Sequence, residues 1–261
     1  MPAAETILQI EPPLAVLTFN RPEARNAMTW AMYEALVETC DEVDRNDAVR
    51  VLVLRGAGGK AFAAGTDISQ FQRFQTPEDG VNYEQRIGDV LDRLERVTKP
   101  TIARIDGVAV GAGCAVAVTC DLRVATPESR LGIPVARTLG NCVTGAALSR
   151  LVDLVGPGCA TEILFTGRLV GAAEARAIGL LNRVVPADAI GQAVRELALG
   201  IASNAPLTVR ATKEMTRRLM ARRRLTSSDT RDLIEMCYTS ADFREGVAAF
   251  LAKRPPQWTG R

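Results

Sequence analysis

Histidine is absent from all 261 positions. Without an imidazole the chain runs neither a Ser-His-Asp nor a Cys-His mechanism, and a catalytic zinc site loses its commonest ligand, so no metal centre is expected. Uninterrupted apolar runs of about 18 residues are also missing, which argues against a membrane-spanning helix. The opening MPAAETILQIEPP has neither the basic nor the apolar region of a secretory signal. Net charge is scarce. With 32 Lys and Arg against 30 Asp and Glu, the balance is +2, too small to draw nucleic acid or an anionic membrane surface. The cysteines (Cys40, Cys114, Cys120, Cys142, Cys159, Cys237) form no C-x-x-C pair. Set mostly among Ala, Val and Leu, they read as buried free thiols in a reducing, cytoplasmic compartment. A phosphate-binding G-x-x-x-x-G-K-[ST] is missing, and Gly111-Ala112-Gly113 lacks the x-x-G that a dinucleotide fold requires.

What is present is ordinary globular composition, 47% hydrophobic and 24% charged. At this length roughly 70–75% of the unfolded surface can be buried, so a core forms without disulfides. Leu14–Phe19 and residues 50–54 read as buried strands. Between them Met32, Leu36, Cys40 and Val43 recur at helical spacing, with acids between, behind the cap Thr29. Ile87, Val90, Leu91, Leu94 and Val97 mark a second helix, stopped by Pro100. Strands are expected at Thr101–Ile105, Leu122–Ala125 and 181–185, and an Ala/Val-rich stretch at 114–120. Past Asp188 only helical segments remain, broken by Pro206 and the polar cluster 226–229. The chain thus divides into an α/β region, 1–200, and a helical region, 201–261.

Two glycine-containing segments could do chemistry: KAFAAGTDI at 60–68 and IDGVAVGAGC at 105–114. Small residues let backbone approach a ligand, and two backbone N–H groups aimed at one point form an oxyanion hole. Taken alone, Gly-Ala-Gly at a strand–helix turn usually means no more than tight packing.

Together these segments resemble the crotonase (enoyl-CoA hydratase/isomerase) superfamily. NRPEARNAM at 20–28 resembles its N-R-P-x-x-x-N-A motif, and Ala61 to Ile68 its A-F-x-A-G-x-D-[IL]. Gly107 to Gly113 resembles its G-x-x-x-G-G-G, with Ala112 for the middle glycine. Cys120-Asp121, Gly132-Ile133-Pro134, Thr166-Gly167-Arg168, Ala172 to Ala175, Gly179-Leu180 and Val184-Val185-Pro186 follow in order. The resemblance implies an α/β spiral of ββα turns with a C-terminal helical trimerisation region, giving a homotrimer or dimer of trimers. It implies an acyl-CoA thioester as ligand, with coenzyme A part of the substrate and no other cofactor. The enolate-stabilising amides would be those of Thr66 and Ala112. Substrate contacts would come from Arg25, Ala64, Gly65, Asp67, Ile68, Gly111, Phe250 and Lys253.

One departure matters. The glutamates with which hydratases of this family add water fall at Ala115 and Val135 here, and neither residue moves a proton. Isomerases keeping only the second glutamate are not matched either. Nearby polar residues include Arg137 and Asn141, able to bind a carboxylate or, equally, to pair with an acid and to cap the next helix. Cys142 would be nucleophilic only with a lowered pKa. Asp67, Tyr83, Glu84 and Tyr238 are further pocket candidates, Asp67 also a helix cap. Arg217, Arg218, Arg222, Arg223 and Arg224 read as a solvated face rather than a phosphate clamp. The sequence therefore points to acyl-CoA binding with enolate stabilisation and leaves the reaction open. Decarboxylation needs no general base, and a thioester-binding protein without catalysis is the other alternative.

Overall fold

The computed structural model describes residues 4–222, 225 and 229–260. Arg223 and Arg224 of the basic cluster, and 226–228 of the polar break, lie outside them. β1 (Thr6–Glu11) and β2 (Leu14–Phe19) pair antiparallel, and α1 (Trp30–Arg45) follows. A strand–strand–helix unit then repeats: β3 (Val51–Gly56), β4 (Ala61–Ala64) and α2 (Pro77–Glu95); β5 (Thr101–Ile105), β6 (Val108–Val110) and α3 (Ala112–Thr119). The third unit is β7 (Leu122–Ala125), β8 (Arg130–Gly132), the single turn α4 (Val135–Thr138) and α5 (Gly145–Thr166). The first strand of each unit joins a large sheet and the second a small one, which is the expected ββα spiral. After β9 (Val170–Gly171), α6 (Ala172–Ala177) and β10 (Arg183–Val184), the large sheet reads β1-β2-β3-β5-β7-β10 and the small one β4-β6-β8-β9. Among the described residues only β1–β2 and β8–β9 are antiparallel.

Burial explains these elements. In β3, Val51 and Val53 face Ile190, Val194 and Ala198 of α7 (Ile190–Ala202), while Leu52 and Leu54 enter the main core with α1. A parallel strand covered on both faces is apolar throughout. Thr29 caps α1 by accepting from Met32 N–H, and Met32, Leu36, Cys40 and Val43 are fully buried. The strand expected at 181–185 narrows to β10, because the Leu181 N–H turns back to the Ala175 carbonyl in α6.

Beyond α7 come α8 (Pro206–Ala221), α9 (Arg231–Tyr238) and α10 (Ala241–Leu251). α9 packs on α2, and α10 on the 3-10 turn Ile68–Arg73, so the C-terminal helices close over one side of the spiral. No helix among the described residues is long and apolar enough to cross a membrane.

Candidate functional site

The two glycine segments meet because β4 and β6 run parallel and end in step, Ala64 opposite Val110. Each strand exits through a glycine with positive φ, Gly65 (+95°) and Gly111 (+54°), a conformation that side chains resist. The exits touch, since a Cβ on Gly111 would lie 3.5 Å from the Gly65 Cα. Thr66 and Ala112 therefore sit side by side, each two residues past its strand. Thr66 bridges Met28 in parallel fashion: Met28 N–H donates to Gly65 O (2.8 Å) and Asp67 N–H to Met28 O (3.0 Å). That pattern leaves the Thr66 N–H out of the bridge. Ala112 opens α3, where first-turn N–H groups have no intrahelical acceptor. Among the described residues neither amide has a hydrogen-bond partner. Gly113 is what lets α3 come so close, because a Cβ there would stand 2.1 Å from the Ala63 carbonyl oxygen.

The Thr66 side chain is fixed from both sides. Its Oγ1 lies 2.7 Å from the Tyr33 hydroxyl and 2.7 Å from the Tyr83 hydroxyl, all three residues buried. Burial pushes both phenols up, so they stay neutral. Tyr33 was not legible as a site residue: it sits on the buried face of α1, where an aromatic looks like core.

Beside Ala112 opens a small cavity of about 50 Å³, lined by Tyr83, Glu84 and Ile87 of α2, Gly111, Ala112 and Ala115, then Ile133, Val135, Asn141, Cys142, Val143, Thr144 and Ala147. Ala115 and Val135 thus form apolar wall. The acid in this wall is Glu84, 4% exposed. Its Oε1 accepts from the Tyr238 hydroxyl of α9, and its Oε2 is buried without a partner among the described residues. Burial raises its pKa to about 8, against the Tyr238 hydrogen bond, which lowers it. Asn141 Nδ2 donates to Tyr238 Oη (3.3 Å) and to the Cys142 carbonyl (3.1 Å). Asn141 does not cap α5; Thr144 does, accepting from Ala147 N–H at 2.9 Å. A hydrogen bond with the Cys237 thiol, and then burial, push Cys142 up, the reverse of what a nucleophile needs. Trp30 of α1, Tyr83 of α2, Phe71 and Phe74 at the 3-10 turn, Tyr238 of α9 and Phe243 of α10 pack ring to ring in tilted and edge-on contacts, joining the site to the C-terminal helices.

The other candidates lie outside this cavity. Arg137 is exposed on α4, its stem against Gly167, and it is not among the residues that line this cavity. Asp67 caps the 3-10 turn by accepting from Ser69 N–H (3.2 Å) and pairs with Arg21 at 3.3 Å. Those bonds hold its carboxyl below the usual range despite the burial that opposes them. Ile68 begins the same turn. Arg25 is exposed, and its carbonyl accepts from Ala64 N–H at 3.1 Å, so these two candidates adjoin. Phe250 and Lys253, at the end of α10, are exposed. Arg217 and Arg218 both pair with Glu214, as a solvated face does. A larger cavity of about 930 Å³, between β7 and α8, contains neither Thr66 nor Ala112.

The enoyl-CoA hydratase/isomerase family matches residues 9–261. A short-chain-enoyl-CoA hydratase of Clostridium acetobutylicum is 35% identical over 253 residues, covering 95% of each chain. Among solved structures, an enoyl-CoA hydratase/carnithine racemase from Magnetospirillum magneticum superposes with TM-score 0.81 at 33% identity, over 100% of this chain and 97% of that one. A methylmalonyl-CoA decarboxylase in complex with 2-nitronate-propionyl-CoA superposes with TM-score 0.91 at 25% identity, over 100% of both.

Proposed function

Because the chain belongs to the enoyl-CoA hydratase/isomerase family and has the crotonase fold, we propose that it binds an acyl-CoA thioester and reacts it through the enolate. The observation that carries this reading is the pair of amides, Thr66 and Ala112, side by side and without a partner among the described residues, with a small cavity beside Ala112. Held between them, the thioester oxygen gains negative charge as the enolate forms and is met by fixed donors, each worth about 10²–10³ in rate. The methyl of Ala112 leaves its N–H in place. Coenzyme A would run past Ala64, whose carbonyl suits the adenine amino group, and Arg25, beside the phosphates. Phe250 and Lys253 would reach it from a neighbouring subunit, with 201–261 as the oligomerisation region. No cofactor is needed beyond the coenzyme A that the substrate carries. The cavity's size favours a short acyl group.

A second reading, decarboxylation, is favoured by Ala115 and Val135 in the cavity wall. By motif these are the hydratase glutamate positions, and loss of carbon dioxide makes the enolate without a base. Asn141, not the outward-facing Arg137, would orient the departing carboxylate. Both readings are tested together. Coenzyme A thioesters should bind, and crotonyl-CoA hydration should fall far below a typical turnover of about 10 s⁻¹. Consumption of a malonyl-type thioester would establish decarboxylation, and binding without consumption a thioester-binding protein. Failure of thioesters to bind would overturn the enolate reading, and brisk hydration would overturn the reading of Ala115 and Val135.

A further inference from the structure

We propose that Glu84, on α2, is the group that gives a proton to and takes it from the carbon beside the thioester carbonyl, with Tyr238 of α9 as its positioning residue. The inference rests on the enolate reading. Four observations carry it. Glu84 and Ala112 line the same small cavity, so the residue that carries the carboxyl and the one that carries an enolate-stabilising amide border one volume. Ala115, one turn into α3, presents only a methyl there, leaving space for a carboxyl arriving from α2. Glu84 Oε1 is occupied by the Tyr238 hydroxyl, whereas Oε2 is buried and unpartnered among the described residues. Leaving a buried carboxyl oxygen unpaired is unfavourable, and packing alone does not explain it, since an apolar side chain would fill the site without that cost. Finally, Tyr238 is itself held, by Asn141 Nδ2 at 3.3 Å, so the carboxyl's orientation is fixed by two residues from outside α2.

The proton bookkeeping closes without a co-reactant. When an enolate collapses, its C=C electron pair takes the proton from Glu84 Oε2, the C–H bond forms, the O–H bond breaks and the carbonyl returns. Glu84 is left as a carboxylate that still accepts from Tyr238. In reverse, that carboxylate removes the α-proton. The groups facing Glu84 are Tyr238 and Cys237 from α9, Tyr33 from α1, its neighbour Tyr83 on α2, and Cys142 ahead of α5. Cys114 lies on α3. The cation that α5 brings to α2, Arg150, is held by Asp92 and Glu95 at 2.9 Å each. With burial dominating and no cation paired with it among the described residues, the carboxyl is mostly protonated at pH 7 and becomes a base as pH rises through about 8.

The test uses the full-length protein and butyryl-CoA, a saturated thioester whose α-protons can only exchange. Binding is measured by calorimetry, and loss of the α-proton signal in D₂O by NMR across pH 6 to 10. The native protein should bind and catalyse exchange at a rate that rises through about pH 8. Glu84→Gln should bind within a few-fold of native affinity and lose roughly 10²–10⁴-fold of the exchange rate. Tyr238→Phe should keep exchange but move its inflection to higher pH, since the lost hydroxyl favoured the carboxylate; a merely structural tyrosine would not shift the profile. Exchange unchanged in Glu84→Gln, an inflection unmoved in Tyr238→Phe, or a native protein that binds without exchanging would each overturn the role of Glu84. Failure of the native protein to bind butyryl-CoA would instead overturn the enolate reading.

Discussion

Burial moves the Glu84 pKa from an ordinary 4.5 to about 8, and the same shift must appear in stability. Between those values the unfolded chain has released a proton that the folded chain keeps. The unfolded state then binds fewer protons, so stability falls as pH rises through this window and levels off above it. Carboxyls held low, such as Asp44 and Asp67, act in the opposite sense and at lower pH, where their stabilisation is lost on acidification. Glu84→Gln removes the titration but keeps the shape. Urea midpoints should show the variant close to native at pH 4 and more stable at pH 9, by on the order of a few kcal/mol. Equal pH slopes for the two proteins would contradict a raised Glu84. The residue proposed to move the proton is thus predicted to weaken the fold at neutral pH.

Helix α2 bears Tyr83, Glu84 and the acids that hold Arg150, and its seat against α9 depends on Gly80. A Cβ there would meet Tyr238 Cγ at 2.4 Å and Tyr238 Cβ at 2.5 Å, close to the backbone where the ring cannot swing aside. Alanine in a helix interior ordinarily gains about 1 kcal/mol over glycine, whereas overpacking costs about 1–3 kcal/mol. Overpacking should win here. Gly80→Ala is expected to lower the unfolding midpoint and, by displacing Tyr238, to raise the exchange inflection as Tyr238→Phe does. A variant more stable than native would refute this account of the α2–α9 contact. The spacing from Ile87 to Leu94 revealed the later turns of α2, but its start was missed. That start is a capping box, Thr76 with Asp79 ahead of the apolar periodicity. β4 and β6, four and three residues long, show no alternation of their own, and only pairing within the small sheet, with each other and of β6 with β8, defines them.

For the molecule as a whole, α8 contains no buried residue. Leu207 (76% exposed), Met215 (64%) and Leu219 (59%) on it, with Met236 (63%) on α9, face outward in the single chain. That much apolar surface on the C-terminal helices is what a contact between copies of the chain would cover. Light scattering at micromolar concentration should therefore give a trimer or a dimer of trimers, with Phe250 and Lys253 near a subunit boundary. A monomer would refute the assignment of this region. Leu207→Asp together with Met215→Asp should dissociate the assembly if these side chains form the contact.

The sequence by itself determined whatever depends on near neighbours. Thr29 and the Met32–Val43 spacing specify α1, unbroken apolar runs specify the central strands, and the two glycine exits specify where backbone can meet a ligand. Those features rest on caps, periodicity and positive φ, which a few adjacent residues decide. Only the tertiary structure decided which side chains share the site. Tyr33 and Tyr83 clasp Thr66 from two helices, Arg137 turns away from the cavity, and Tyr238 reaches Glu84 across 154 positions. The charge state of a carboxyl depends on how much water its neighbours remove. For Glu84, already a pocket candidate from the sequence, most of those neighbours come from distant segments, so its charge state could not be read from the residues beside it in the chain.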